Sequence, residues 1–141
     1  MRKKRFKNKT KLNNRSIVVD GVEFQSVKEG NRYKELKLLE QAGKISNLEL
    51  QKKYPLLPPQ YEVVETGEYY KAGDKKGQPK TKQICLERAV DYIADFVYQE
   101  NGQTVVEDVK GYRDTSSAPY AKFVLKRKMM LYFHGIRIKE V

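Results

Sequence analysis

Asn101-Gly102 is the feature that most constrains the fold, because it lies between two segments that alternate apolar and polar residues. An Asn-Gly pair is typical of the two-residue type I′ turn that joins antiparallel strands. With these two residues as the loop, Asp95 and Asp108 become direct cross-strand partners, and Lys110 follows on the face of Asp108. The sequence therefore predicts a long β-hairpin with two carboxylates and a lysine on one largely apolar face.

Two helices are predicted, one before this hairpin and one after it. The first covers about 27–42, because Ser26 and Glu29 have the spacing of a capping box and Gly43 supplies a stop. The second begins near Pro119, which suits the first turn of a helix, and runs to about 133. Gly135 supplies its stop.

Short strands and one loop account for most of the remaining chain. We expect a small hairpin over 17–24, a strand over 45–50, an irregular stretch at Pro55, Pro58 and Pro59, a strand over 60–71, one long strand over 85–98, and a last strand over 136–141. Residues 72–82, which are rich in Gly and Lys, predict an exposed flexible loop. This order predicts an α/β (α+β) fold with a mixed central sheet flanked by two helices.

The positive charge is concentrated at the N-terminus. The chain has a formal net charge of +11, and residues 1–15 contain eight basic residues and no acids. Residues 16–141 then carry a net charge of only +3. We therefore predict a disordered basic arm over 1–15 and a single domain over 16–141. Within the arm, the residues expected to contact nucleic-acid phosphates are Arg2, Lys3, Lys4 and Arg5. A solubilising tail is the alternative.

Composition excludes several classes of protein. With one Cys and one His, the chain cannot build a zinc cage from these residues, and a single Cys excludes an intrachain disulfide framework. No apolar run approaches the roughly 20 residues of a membrane span, and no apolar segment of a secretory signal follows the basic N-terminus. We expect a cytoplasmic protein that does not associate with membranes.

The facing pair of Asp95 and Asp108 requires a cation or a proton, because like charges opposite each other are destabilising, above all when buried. Two carboxylates and a backbone carbonyl are suitable hard-oxygen ligands for Mg²⁺ or Mn²⁺. The Lys110 ammonium would hold a water or a developing phosphate charge nearby. The alternative is an edge aspartate paired with a surface lysine.

Glu29 is a further candidate ligand. It shares a stripe of the first helix with apolar residues such as Tyr33 and Leu36, which should face the sheet. A carboxylate at the N-terminal end of that stripe could reach a metal held by the aspartates. Capping of the helix together with Ser26 is the other interpretation, and the two are compatible.

These residues resemble the D…(D/E)-x-K signature of the PD-(D/E)XK nuclease superfamily, since Asp95 is followed, after twelve residues, by Asp108-Val109-Lys110. More narrowly, the runs at 26–29, 45–51, 92–96 and 106–111 look like a phage-encoded family of small nucleases similar to archaeal-type Holliday-junction resolvases. The resemblance covers about 16–141. It implies a restriction-endonuclease-like core in the order αβββαβ.

The resemblance also implies Mg²⁺- or Mn²⁺-dependent hydrolysis of phosphodiester bonds. The metal would be held by Glu29, Asp95, Asp108 and the backbone carbonyl of Val109, and Lys110 would orient or activate the attacking water. Asp108 replaces the commoner Glu of the signature. The neighbouring Glu107 is the alternative ligand, and the alternation of the strand favours Asp108.

The second predicted helix carries basic residues that would follow a DNA backbone, chiefly Lys122, Lys126 and Arg127, unless they form an ordinary solvated face. The resemblance implies a homodimeric endonuclease for branched DNA in phage recombination or replication, within the host bacterial cell. The alternative is a non-catalytic DNA-binding or replication accessory protein on a nuclease-like fold.

Overall fold

The computed structural model describes residues 15–141, and the predicted phosphate-binding residues Arg2, Lys3, Lys4 and Arg5 lie outside the described residues. The described residues form two helices and eight strands. In chain order they are β1 (Ile17–Val19), β2 (Val22–Phe24), α1 (Val27–Gln41), β3 (Ser46–Leu57), β4 (Gln60–Tyr69), β5 (Pro79–Glu87), β6 (Val90–Glu100), β7 (Gln103–Asp108), α2 (Ala118–His134) and β8 (Lys139–Glu140).

The central sheet has the strand order β3-β6-β7-β8. The β3–β6 and β6–β7 pairs are antiparallel and the β7–β8 pair is parallel, so the sheet is mixed. Phe96 and Tyr98 pack with α1, whereas the alternate residue Val97 packs with α2. The two helices therefore cover opposite faces of the sheet, which confirms the predicted α+β fold with a central mixed sheet between two helices.

The local signals near the helix ends and tight turns are confirmed. Ser26 is the N-cap of α1 and accepts a hydrogen bond from the Glu29 N–H at 3.1 Å. Gly135 ends α2 in the left-handed conformation, with φ 65°. Asn101 and Gly102 both have positive φ, as a type I′ turn requires.

The proline-rich stretch after β3 does not follow the prediction. β3 continues through Pro55, which pairs with Asp91 of β6, and ends only at Leu57. A proline is tolerated here because β3 is the edge strand of the central sheet, where a missing N–H leaves no partner unsatisfied. The irregularity falls at Pro58 and Pro59, between β3 and β4.

Three other strand predictions were wrong. The last strand, expected over 136–141, is limited to β8 (Lys139–Glu140). The expected strand over 85–98 is split at Arg88-Ala89 into β5 and β6, which belong to different sheets. The expected loop over 72–82 is too long, because Thr81 and Lys82 pair with Glu65 and Val64 of β4. Cross-strand pairing in a second hairpin thus overrides the Gly- and Lys-rich composition that indicated a loop.

β4 and β5 form a separate two-stranded sheet, which we call the ribbon (Gln60–Glu87). Leu57 pairs with Val90 at the end of the β3–β6 pair, and Gln60 pairs with Glu87 at the start of the ribbon. The ribbon therefore continues the β3–β6 pair beyond the central sheet. Neither helix of residues 15–141 has the length and apolar character needed to cross a membrane.

Leu36 tests how α1 is held on the sheet. It is 0% exposed, whereas Leu38 of the same helix is 65% exposed. We expect Leu36→Ala to lower the free energy of unfolding by about 2–5 kcal/mol, because it removes buried methyl groups and leaves a cavity. Leu38→Ala is the matched control and should change it by less than about 0.5 kcal/mol. Urea unfolding curves measure both, and equal effects would contradict this packing.

Candidate active site at the open end of the β6–β7 hairpin

The β6–β7 register is the predicted one from Glu100 opposite Gln103 to Phe96 opposite Glu107. Along β7, Val105 and Val109 pack on the α1 side, whereas Val106 packs on the α2 side. Asp108 and Lys110 follow Val106 at intervals of two residues and therefore lie on the α2 side with it. The contact of Lys110 with Phe123 of α2 agrees with this. Glu107 therefore lies on the opposite face from Asp108.

The predicted pairing of Asp95 with Asp108 is not formed, because the ladder ends at Phe96 and Glu107. Instead, the Asp95 side chain accepts a hydrogen bond from the Val109 backbone N–H at 2.8 Å. The aspartate thus caps the end of the ladder and reaches β7 through its carboxylate. It still lies near Asp108, whose charge acts on its pKa.

A backbone irregularity accompanies this change. Gln51 lies opposite Asp95, between the paired positions Leu50 and Lys52 of β3, and has φ 51°. A left-handed conformation in a strand is unfavourable for a residue with a Cβ, and such strain is concentrated at functional sites. Gln51 also donates a long hydrogen bond, of 3.3 Å, from its amide to Asp95. Gln51 is therefore in contact with the candidate site.

Asp108 is held from two sides and is only 5% exposed. The Tyr92 hydroxyl donates to one carboxylate oxygen at 2.7 Å, and Lys110 Nζ lies 2.6 Å from the other. The Lys110 ammonium also lies 3.8 Å from the ring centroid of Phe123 in α2. The strand and the helix thus hold the aspartate and the lysine of the signature together.

Asp95 has a strongly perturbed acidity. Burial, followed by the charge of Asp108, raises its pKa to about 6, against the opposing hydrogen bond from Val109 N–H. The charge of Glu29 raises the pKa further, and Lys110 lowers it. Such a perturbed carboxyl beside a second carboxylate and a lysine marks a candidate functional site.

Glu29 belongs to the electrostatic environment of the same site. Its backbone N–H donates to the side chain of Ser26, the N-cap of α1. Burial raises its pKa, hydrogen bonds from Ser26 and the Gln25 backbone oppose the rise, and Asp108 adds to it. The capping interpretation is confirmed, and the ligand role of Glu29 stays a prediction.

Glu107 has a separate structural partner. It is 0% exposed and accepts hydrogen bonds from Arg32 of α1 at 2.6 and 2.9 Å and from the Tyr98 hydroxyl at 2.5 Å. Burial alone would raise its pKa, but the hydrogen bonds from Arg32 and Tyr98 outweigh it, so the pKa lies below its usual value. Glu107 therefore joins α1 to the sheet, and Asp108 is the better ligand candidate of the two.

The basic residues of α2 divide into two sets. Lys122 and Lys126 line one open groove together with Asp108 and Lys110. Arg127 lines a different groove and forms an ion pair with Glu140 at 2.9 Å. The structure therefore brings the two lysines to the candidate site and places Arg127 elsewhere.

The carboxylates do not form a ready metal cage. Within residues 15–141, no three carboxylate, imidazole or thiol groups converge closely enough to hold a metal ion. The Val109 N–H is used by Asp95, and a role for its carbonyl stays a prediction.

Tyr92 and Phe123 are the site contacts that sequence reasoning missed. Regular alternation puts residues 92, 94 and 96 on one face, but Ala94 packs on the α2 side and Phe96 on the α1 side. The break at Asp95 therefore redirects Tyr92 towards Asp108. A sequence pattern with period two has no signal for such a break.

The fold and site define a mixed α+β protein with an acidic, lysine-containing site at the end of a hairpin. The chain belongs to the family described as "Protein of unknown function (DUF1064)", whose model matches residues 9–139. No significant match to a curated protein or to a solved structure was found. The nuclease resemblance therefore rests on the residues of this chain.

The stability of Asp95→Asn at two pH values tests how much the negative charge of Asp95 destabilises the fold. An unfolded Asp has a pKa of about 3.9, so between that value and about 6 the folded protein binds a proton that the unfolded chain lacks. The resulting stabilisation is full at low pH and is lost as the pH rises through the folded pKa. We expect Asp95→Asn to raise the free energy of unfolding at pH 8 by about 1–2 kcal/mol, after allowance for partial exposure.

The advantage of Asp95→Asn should shrink as the pH falls to 5, because the wild-type carboxyl is then largely protonated. Urea unfolding in EDTA at the two pH values measures this. Asp20→Asn is a suitable control, because Asp20 lies in an exposed turn in which Asn is equally favourable. A stability difference independent of pH would contradict the proposed cause.

Arg32→Met tests the structural role of Glu107. The substitution keeps an apolar stem but leaves Glu107 without its bidentate partner. Within residues 15–141, Lys139 at 3.3 Å is then its one cationic neighbour. We expect a loss of about 3–5 kcal/mol in the free energy of unfolding, typical of an orphaned buried charge. The double variant Arg32→Met/Glu107→Gln should recover part of the loss. An undiminished loss in the double variant would indicate that Arg32 acts mainly through packing.

Proposed function

We propose that this protein is a metal-dependent DNA endonuclease that hydrolyses phosphodiester bonds, with branched DNA of the Holliday-junction type as its substrate. The observation that carries the proposal is the convergence of Asp95, Asp108 and Lys110 at the end of the β6–β7 hairpin. The two aspartates repel each other, and a lysine lies within contact distance of one of them. This combination is costly for the fold and useful for phosphate chemistry.

The donor set fits a hard divalent cation such as Mg²⁺ or Mn²⁺, because the candidate ligands Asp95, Asp108 and Glu29 offer carboxylate oxygens only. The raised pKa values of Asp95 and Glu29 indicate a site where added positive charge is favourable. When bound, the cation would polarise the scissile phosphate and stabilise the charge that develops on it.

Lys110 has donors to spare for this chemistry. An ammonium group has three N–H donors, of which one suffices for Asp108 at 2.6 Å. The others can orient the attacking water or contact a phosphate oxygen. Phe123 fixes the ammonium in place through its ring face, so we assign Phe123 a positioning role.

Lys122 and Lys126 would hold the DNA in the groove that leads to Asp108 and Lys110. A symmetric homodimer would present two such sites, as paired cuts across a four-way junction require. The cellular role that follows is recombination or replication of phage DNA in the cytoplasm of a bacterial host.

A second candidate function is non-catalytic DNA binding in replication. The observation that favours it is the engagement of both Asp108 oxygens by Tyr92 and Lys110, together with the lack of a three-ligand group among residues 15–141. The two functions differ in whether phosphodiester bonds are cut.

Cleavage of a labelled four-way junction and of a matched linear duplex in Mg²⁺ tests the proposal. We expect the junction to be cut preferentially, and Asp108→Asn and Lys110→Ala to lower turnover by at least about a hundredfold, because each removes a group that acts on the reacting phosphate or water. Asp20→Asn, in the exposed β1–β2 turn, should cleave like the wild type.

Three outcomes would count against parts of this proposal. No cleavage by the wild type, or unchanged cleavage by Asp108→Asn, would contradict the enzyme and favour the accessory protein. Equal cleavage of linear and branched DNA would retain the nuclease and remove the junction preference. Equal losses of binding and turnover in Lys110→Ala would indicate a phosphate contact rather than a role in the chemical step.

A further inference from the structure

The ribbon is the largest part of residues 15–141 that the candidate active site leaves unexplained. Among the described residues its two strands pair only with each other, and most of its side chains on both faces are exposed. An isolated two-stranded hairpin is marginally stable in water, so its formation contributes little to the stability of a domain. Its surface is therefore best explained by a partner.

Charge along the ribbon is sharply divided. Its tip, residues 70–82, contains five lysines and one acid, a net charge of +4. The rest of the ribbon, residues 60–69 and 83–87, contains four glutamates and no basic residue, a net charge of −4. Apart from the tip, residues 16–141 carry a net charge of −1, so the excess positive charge of these residues is concentrated in the tip, which comprises the turn and the first residues of β5.

A hydrogen-bonded turn closes the end of the tip. Tyr70 N–H donates to the Gln78 carbonyl at 3.0 Å, and Gly77 N–H donates to the Tyr70 carbonyl at 2.9 Å. The ammonium groups of Lys75 and Lys80 lie 5.7 and 5.6 Å from the ring centroid of Tyr70. Two like charges are thus gathered around one ring on a closed turn.

These charges have few partners. Within residues 15–141, the only ion pair of the five tip lysines joins Lys80 to Glu68, at 3.9 Å. Elsewhere in the domain, Arg32, Lys110 and Arg127 have carboxylate partners at 2.6 to 2.9 Å. Uncompensated ammonium groups on a projecting turn attract a polyanion.

We propose that the tip of the ribbon binds the phosphate backbone of duplex DNA outside the carboxylate site. Strands of nine to ten residues span about 30 Å, so the acidic part of the ribbon separates the basic tip from the central sheet and the tip can contact phosphates that the carboxylate site does not reach. A second copy of the chain is a less suitable occupant of the tip, because two tips of charge +4 repel each other. The inference rests on the proposed function for the choice of DNA as the polyanion.

Binding without cleavage tests this inference, using the full chain and a fluorescent linear duplex in EDTA over a range of salt concentrations. Lys75→Gln/Lys76→Gln removes two exposed charges from the tip. We expect the Kd to rise roughly ten- to hundredfold near 0.1 M salt and the salt slope to fall by about two. Lys34→Gln/Lys44→Gln removes the same charge from exposed positions on α1 and just before β3, at the opposite end of that strand from the ribbon. This control should change the Kd less than about twofold.

A loss confined to the tip variant supports the inference. Equal losses in both variants would show an effect of net charge and overturn it, as would the absence of a loss in the tip variant or the absence of duplex binding by the wild type. Weakened self-association of the tip variant in sedimentation, with unchanged DNA affinity, would also overturn it and identify a second copy as the occupant. A loss in the tip variant, with no cleavage by the wild type in Mg²⁺, would support the ribbon interface and contradict the nuclease.

Discussion

The structure depends on two neighbouring acids of β7, Glu107 and Asp108, whose side chains lie on opposite faces of the sheet. Alternation directs Glu107 towards α1, where Arg32 and Tyr98 satisfy it, and Asp108 towards α2, where Tyr92 and Lys110 hold it. The first acid is fully buried and fully paired, so it links a helix to the sheet. The second pairs, among the described residues, with the single cation Lys110, which is itself a candidate for chemistry. This dipeptide thus places a structural acid and a candidate ligand on opposite faces of the sheet.

Asp95 is the second carboxylate of the candidate site, and it lies where the β6–β7 ladder ends. Its carboxylate takes the Val109 N–H, which keeps that backbone donor satisfied although the strands no longer pair. The positive φ of Gln51 and the pKa of Asp95 near 6 are both costs of this arrangement. These costs coincide at one point of the sheet, which marks it as a candidate functional site. A second positive φ in β3, at Asn47, accompanies a register shift near the start of that strand.

The parts that the sequence predicts well are those governed by local rules. The turn residues Asn101-Gly102 set the β6–β7 register, and Ser26 sets the start of α1, because each acts through its own backbone geometry. That register predicted Asp95, Asp108 and Lys110 at one end of the hairpin, but the direct pairing of Asp95 with Asp108 is not formed. The break at Asp95, the contact from Tyr92 and the ribbon were not predicted, because they depend on how distant segments pair. Pro58 and Pro59 marked an interruption but gave no sign that pairing resumes beyond it.

The charge distribution connects the two proposals. Residues 16–141 have a net charge of only +3 and therefore a weak general attraction for DNA. Because the tip alone carries +4, the remainder has a net charge of −1 and is slightly acidic. An acidic body would repel a phosphate backbone unless local cations lead it to the site, and Lys122 and Lys126 lie where they are needed, beside Asp108 and Lys110. The lysines of the tip and those of the groove beside the candidate site would hold the polyanion at two separate places. Such an arrangement would favour DNA whose backbone contacts the tip and the groove at the same time. The shape of the DNA would then decide whether its phosphates reach the carboxylates.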